Sequence, residues 1–156
     1  MLGSEAIRFS SRPSLGGRAV VAEILLLPSG EAELRLFRLS GHWRTRWDMK
    51  GAQTFSLPPP EYRRLAGQVD AAIAAYRPPY VDPDNGEFII CTDGPGFLTE
   101  RLRAGQVTTL VGQCPPKHGV LHPNRTIAAS IDAVLCTHVR PAIRRGPFGA
   151  ARCRRR

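Results

Sequence analysis

The sequence predicts an α+β domain: an antiparallel sheet with two helices packed on one face, in the order β-hairpin, short strand, α, β-meander, α. Three observations support this prediction. One stretch of sequence alternates apolar and polar residues next to a tight turn, and two other segments carry apolar stripes at helical spacing. Clusters of proline and glycine separate these segments. The 156 residues suit one domain. We expect that domain at 18–140, between a flexible leader at 1–17 and a basic, disordered tail at 141–156.

The hairpin is the clearest predicted element. An almost wholly apolar stretch, 18–27, leads into the turn residues Pro28-Ser29-Gly30, and 31–39 returns with apolar and polar residues alternating. A period of two puts one face of that strand on the core and the other in water. Residues 42–56 then predict one or two short strands.

Apolar stripes predict the two helices. The first covers about 60–76 and is opened by proline, whose missing N–H costs nothing in the first turn. The second starts near Pro123-Asn124, with Asn124 as its N-cap, and has an inner face that includes His138. Between the helices, 87–92, 97–103 and 106–113 predict a three-stranded meander. The stripe residues are Tyr62, Leu65, Val69, Ile73 and Tyr76 in the first helix and Ile127, Ile131, Val134 and Leu135 in the second.

The net charge of +9 is concentrated at the C-terminus. Residues 139–156 hold seven arginines and no acidic residue, whereas the preceding 138 hold fifteen basic and thirteen acidic residues. Such a tail could bind nucleic-acid phosphates non-specifically, or it could be a solvated terminus. The basic tail residues in question are Arg144, Arg145, Arg152, Arg154, Arg155 and Arg156.

Cysteines and histidines allow three interpretations. Zinc takes four such ligands in a tetrahedron, which Cys114, His118, His122 and Cys136 could supply. Cys91 and Cys114 each end a strand of the predicted meander, so they could instead form a disulfide, or all these thiols could stay reduced in the core. Cys114 with a histidine base would make a thiol-dependent enzyme. In the tail, Cys153 has arginine neighbours that favour its reactive thiolate.

Tryptophan and arginine, which are common at interface hot spots, cluster in the segment that follows the hairpin. Trp43, Arg44, Arg46 and Trp47 could form a binding surface, or the segment could be an amphipathic strand with both tryptophans in the core. Asp93 and Glu100 could belong to a polar ligand site, although Asp93 also suits a turn.

Motifs for the common enzyme classes are missing from the sequence. It contains no nucleophile elbow, P-loop, dinucleotide fingerprint or zinc-protease helix, so we assign no catalytic residue and favour a non-enzymatic domain. No apolar stretch is long enough to span a membrane, and no signal peptide is evident. We therefore expect a cytoplasmic protein, or an exported one if a leader has been removed.

Short motifs over about residues 20–139 carry a resemblance. They are Phe55-x-Leu57-Pro58-x-x-Glu61-Tyr62-x-x-Leu65, Cys91-Thr92-Asp93-Gly94-Pro95 with Glu100, and Gly112-x-Cys114 before Asn124 and Ile131-Asp132. In these motifs the chain resembles small uncharacterised bacterial α+β domains of unknown function. Such domains are often exported, which implies the Cys91–Cys114 bridge. The resemblance implies no activity.

The leading hypothesis is therefore a non-enzymatic domain that binds another macromolecule, most simply a protein, through its sheet face or an edge strand. Nucleic-acid association through the arginine-rich tail is one alternative. A small zinc- or thiol-dependent enzyme centred on Cys114, His118 and His122 is the other.

Overall fold

The computed structural model describes residues 5–12, 17–41, 46–76, 96–113, 123–138 and 148. Within them, six strands pair antiparallel in one sheet of order β4-β3-β2-β1-β5-β6, and two helices complete an α+β fold. The elements in chain order are β1 (Glu5–Arg12), β2 (Gly17–Leu26), β3 (Ala32–Gly41), β4 (Trp47–Leu57), α1 (Pro59–Ala75), β5 (Gly96–Arg103), β6 (Gln106–Gln113) and α2 (Pro123–His138).

Strand β1 replaces the flexible leader that the sequence predicts over Glu5–Arg12. It lies between β2 and β5, so Ile7 has Ile24 opposite it on one side and Arg101 on the other. Ile7 and Phe9 are fully buried, whereas Arg8 between them is exposed. The alternation is short, and one of the two pairing strands lies far along the chain, which explains why the local pattern suggests a leader.

The predicted hairpin is confirmed, and the segment after it is more regular than predicted. Strands β2 and β3 pair without interruption, and Gly30 in their turn has a φ of +85°. Strand β4 is one strand of 11 residues in place of one or two short ones, with a register shift opposite Arg38/Leu39. Residues 42–45 lie outside the described part of the chain.

Strands β5 and β6 confirm the last two strands of the predicted meander. Strand β5 pairs with β6 on one side and with β1 on the other. On the β1 side, the neighbour of β5 is therefore a strand from the start of the chain and not the preceding strand of a local meander. The predicted strand at 87–92 lies outside the described residues.

The core joins alternate strand residues to buried residues of both helices. The stripes are confirmed by Tyr62, Leu65 and Val69 of α1 and by Ile127, Ile131, Val134 and Leu135 of α2, which are all buried. The strand members of the core are Ile7, Phe9, Ala22, Ile24, Ala32, Leu34, Leu36, Leu57 and Leu110.

Two polar residues attach α2 to its surroundings. Asn124 lies inside the first turn of α2 and not before it, and its Oδ1 accepts a hydrogen bond from the Thr99 hydroxyl at 2.6 Å. Asp132 is fully buried, and its Oδ1 accepts a hydrogen bond from the backbone N–H of Phe148 at 3.1 Å. The Phe148 ring packs edge-on against Phe9 at 4.8 Å. This position of the predicted tail therefore contacts the core, while the rest of 141–156 lies outside the described residues.

The β5–β6 turn stores backbone strain, because Ala104 has a φ of +48°. A left-handed conformation costs a non-glycine residue about 1–2 kcal/mol, and asparagine tolerates it better than alanine. We expect Ala104→Asn to raise the free energy of unfolding by about 0.5–1 kcal/mol in urea denaturation.

Gly105, the next residue of the turn, provides a variant that should change stability in the opposite direction in urea denaturation. Gly105 has a φ of +75°, and a Cβ added there would meet no atom within 4 Å, so Gly105→Ala adds only backbone strain. It should lower stability by about 1 kcal/mol. Equal stabilities for wild type and both variants would contradict the strained turn.

Candidate functional site

Strand residues that alternate with the core set form a second face of the sheet, which we call the outer face. Because successive side chains of a strand point to opposite sides, the pairing register assigns each residue to one face. The outer face consists of Ala6, Arg8, Ser10, Arg12, Ala19, Val21, Glu23, Leu25, Glu33, Arg35, Phe37, Leu39, Trp47, Met49, Ala52, Thr54, Ser56, Leu98, Glu100, Leu102, Val107, Thr109 and Val111.

A row of charged residues crosses the middle of the outer face. Arg8 lies opposite Glu23 on β2 and Glu100 on β5, and Glu23 in turn lies opposite Arg35 on β3. The Arg8 guanidinium is 2.8 Å from the Glu23 carboxylate and 3.2 Å from that of Glu100, whereas Arg35 pairs with Glu33 at 2.8 Å. The hydrogen bond to Glu23 raises the pKa of Arg8. Exposed pairs of this kind add little stability, about 0–1 kcal/mol each, but they hold the charges in place.

Two depressions flank this charged row. The larger, of about 460 Å³, has apolar walls from Val21, Phe37, Leu39 and Leu98. The smaller, of about 300 Å³, has apolar walls that include Leu25, Leu102 and Val107. Arg8, Glu23 and Glu100 line both. An apolar floor with a few fixed polar groups is the usual composition of a binding surface.

A second group of charged residues lies on the core side of the sheet. Arg101 is 4% exposed; its Nη2 donates to Glu5 Oε2 at 2.7 Å and its Nε donates to Asp70 Oδ1 at 2.9 Å. The Tyr62 hydroxyl donates to Glu5 at 3.2 Å and accepts from Arg101 at 3.3 Å. These four residues, which we call the buried ion cluster because Arg101 and Tyr62 are buried while Glu5 and Asp70 are half-buried, tie β1, β5 and α1 together. Because they bind one another, we assign the cluster to stability.

The buried ion cluster shifts two pKa values in opposite directions. The hydrogen bond from Arg101 lowers the pKa of Glu5, because it stabilises the carboxylate. Burial raises the pKa of Tyr62 to about 12, because the phenolate would lose its hydration.

Tyr62 gives an expected dependence of stability on alkaline pH. An unfolded tyrosine has a pKa of about 10, so the stability that Tyr62 contributes is complete below pH 10 and is lost as pH rises towards 12. We expect the urea midpoint to fall over this window in wild type and to fall less in Tyr62→Phe. The titration of tyrosine would be followed in parallel by absorbance at 295 nm. If the urea midpoint fell equally steeply with pH in both proteins, Tyr62 would not be the source of the alkaline loss of stability.

The predicted binding residues are only partly brought together. Glu100 lies in the charged row of the outer face, and Trp47 is half-buried on β4 opposite Gly41, outside the described core cluster. The Arg46 side chain is 91% exposed and lies 3.7 Å from Asp48. Trp43, Arg44 and Asp93 lie outside the described residues, so their grouping with Trp47 stays a prediction.

The cysteine and metal predictions fall largely on residues that the structure does not describe. Cys136 is half-buried on α2 and disulfide-bonded. Cys91 and Cys114 lie outside the described residues, so the bridge between them stays a prediction. The described part of the chain holds no group of three potential metal ligands, but His118, His122 and Cys114 are not in it. The six tail arginines also lie outside it.

Sequence reasoning missed the contribution of β1 to the site. Arg8 contacts both glutamates of the charged row, yet it belongs to a segment that the sequence assigns to a leader. The available signal was the alternation Ala6-Ile7-Arg8-Phe9-Ser10, which has the period of a strand. The buried ion cluster was also missed, because a single arginine in a strand gives no sign of burial.

The comparisons with known proteins add no family to this description. No protein-family model, curated protein or solved structure matches the chain. Neither helix in the described part of the chain is long and apolar enough to cross a membrane.

Proposed function

We propose that this chain is a non-enzymatic binding domain that docks another protein on the outer face of its sheet. The observation that carries the proposal is the pair of apolar depressions, of about 460 and 300 Å³, on either side of the ion-paired row. Apolar side chains of a partner would enter the depressions, while the row between them would fix the partner's orientation.

The placement of the helices is part of the same proposal. We propose that both pack on the face opposite the outer face. The shared core supports this, because buried residues of α1 and α2 cluster with strand residues such as Ile7 and Ile24, which alternate with the outer-face residues. A sheet packed in this way has both helices on one face and neither on the other.

The charge balance of the depressions favours a protein over a nucleic acid. Arg8 and Arg12 face Glu23 and Glu100 in the larger depression, and Arg35 replaces Arg12 in the smaller one. Each lining therefore carries equal numbers of basic and acidic side chains. Nucleic-acid binding depends on an excess of cations that neutralise phosphates.

The two alternative functions suggested by the sequence, nucleic-acid association and a zinc- or thiol-dependent enzyme, stay predictions. Phosphate binding by the tail rests on Arg144, Arg145 and 152–156, and a zinc- or thiol-dependent enzyme rests on Cys114, His118 and His122. Both sets lie outside the described residues.

Peptide selection tests the proposed function. A library of random twelve-residue peptides would be selected on the wild-type chain and then measured against Leu98→Lys, which places a charge in the wall of the larger depression. We expect the selected peptides to lose affinity by about tenfold or more, because an apolar contact is replaced by a desolvated charge. Ala71→Lys, which adds the same charge at an exposed position of α1, should leave binding unchanged.

Peptides that bind Leu98→Lys as tightly as wild type would contradict the proposal. A labelled single-stranded DNA twelve-mer tests the alternative of nucleic-acid association through the tail. That alternative would be supported if the DNA bound in a salt-sensitive manner, if Leu98→Lys left this binding intact, and if no peptide were selected on the outer face.

A further inference from the structure

The two edges of the described sheet differ in how they are protected. Edge strands are usually guarded by charges, prolines or bulges, since their unpaired backbone groups can pair with another chain. Strand β4 carries Asp48 and Lys50, and its pairing with β3 shifts register at Arg38/Leu39. Strand β6 has neither a charge nor a proline in its eight residues, and its register with β5 is unbroken.

Strand β6 also exposes apolar side chains. Val107 is 60% exposed and Val111 is 59% exposed, both on the outer face. They lie opposite Leu102 and Leu98 of β5, so two apolar pairs lie on either side of the Glu100–Thr109 pair at this edge of the sheet. An uncharged strand edge beside exposed valines lacks the usual protection against pairing with another strand.

We propose that β6 pairs antiparallel with β6 of a second copy of this chain, about a twofold axis at Thr109. This register places Val107 opposite Val111 of the partner subunit, and Thr109 opposite its own copy. All of these side chains lie on the outer face, where valine pairs and threonine pairs are favourable cross-strand neighbours. A twofold interface must be complementary to itself, and this strand satisfies that condition.

Electrostatics permit the pairing. The strand contains no charged residue, so no like charges meet across the axis. The chain outside 139–156 is nearly balanced, with fifteen basic and thirteen acidic residues, so most of the net charge of +9 belongs to the tail and not to the strand. The result would be one continuous sheet across both copies, and it does not depend on the proposed protein-binding function.

The test is the oligomeric state of the full chain. In sedimentation velocity at increasing concentration, up to about 200 µM, we expect wild type to reach twice the monomer mass. Thr109→Lys puts two like charges opposite each other at the axis and should weaken the dimer by about tenfold or more. Thr54→Lys makes the same change at an exposed outer-face position of the other edge strand and should leave the dimer intact.

A crosslink reports the register directly. Thr109→Cys should form a disulfide-linked dimer on mild oxidation, because the two introduced thiols would face each other, whereas Thr54→Cys should not. A wild-type monomer at every concentration would overturn the proposal. So would a dimer that Thr54→Lys disrupts and Thr109→Lys does not, or a Thr109→Cys chain that fails to crosslink.

Discussion

Replacement of Phe9 by alanine is expected to lower the free energy of unfolding by about 3–5 kcal/mol. Phe9 is fully buried in β1 at the centre of the sheet, and its ring contacts Phe97 with centroids 6.0 Å apart and Phe148 at 4.8 Å. The truncation would remove an aromatic ring that joins two strands and leave a cavity. Since domains are stable by only about 5–15 kcal/mol, the loss is a large share of the total.

Urea denaturation followed by circular dichroism measures this effect, and Arg12→Ala is its control. Arg12 is an exposed residue at the end of the same strand, so its removal should change stability by less than about 0.5 kcal/mol. If Phe9→Ala were as mild as Arg12→Ala, β1 would not be part of the core.

The second large effect is expected in the buried ion cluster. The double variant Glu5→Gln/Asp70→Asn removes both carboxylates that pair with Arg101, whose side chain is 4% exposed. A buried cation without a counter-charge is costly, but the two carboxylates are 31% and 34% exposed and are partly screened by water, so we expect a loss of about 2–3 kcal/mol. Each single variant should cost less, because one carboxylate remains.

Arg103→Gln is the control for the charge of this cluster. Arg103 lies 3.6 Å from Asp70, but its side chain is 67% exposed, so its removal should cost at most about 1 kcal/mol. A double variant that is no less stable than Arg103→Gln would show that Arg101 does not depend on its carboxylates.

Acid should reduce the difference between the double variant and wild type. The pKa of Glu5 is lowered in the folded chain, so its contribution is complete above the unfolded pKa of about 4.3 and is lost as pH falls through the folded pKa. Below that point Glu5 is protonated in wild type as well. Denaturation of both proteins between pH 7 and pH 2 would reveal the convergence.

Local sequence patterns predicted the elements whose partners are close along the chain. The β2–β3 hairpin follows from alternation about a tight turn, the β5–β6 pair follows from two predicted meander strands that are adjacent in sequence, and α1 and α2 follow from apolar stripes. Each pattern is set by the geometry of one element, which repeats every two residues in a strand and every 3.6 in a helix. The stripe residues Leu65 and Ile131 were therefore identified without knowledge of the fold.

The candidate site was predicted less completely, because it is assembled across strands that are distant in sequence. Glu100 was a candidate from its strand alone. The depressions that it lines also need Val21 and Phe37 from the hairpin and Arg8 from β1, and only the strand order brings these together. Trp47 was selected for its residue type, and its position at the far edge strand depends on the pairing of β4 with β3.

The sequence by itself thus determined an α+β domain, its main hairpin, its two amphipathic helices and the location of its excess charge. The tertiary structure alone decided that Glu5–Arg12 is a central strand, that Arg101 is buried between Glu5 and Asp70, and that uncharged β6 ends the described sheet. The physical reason is the range of the interactions. Turns and periodicities act within about ten residues, whereas strand order and buried charge pairs are fixed by packing between segments that only the folded chain brings into contact.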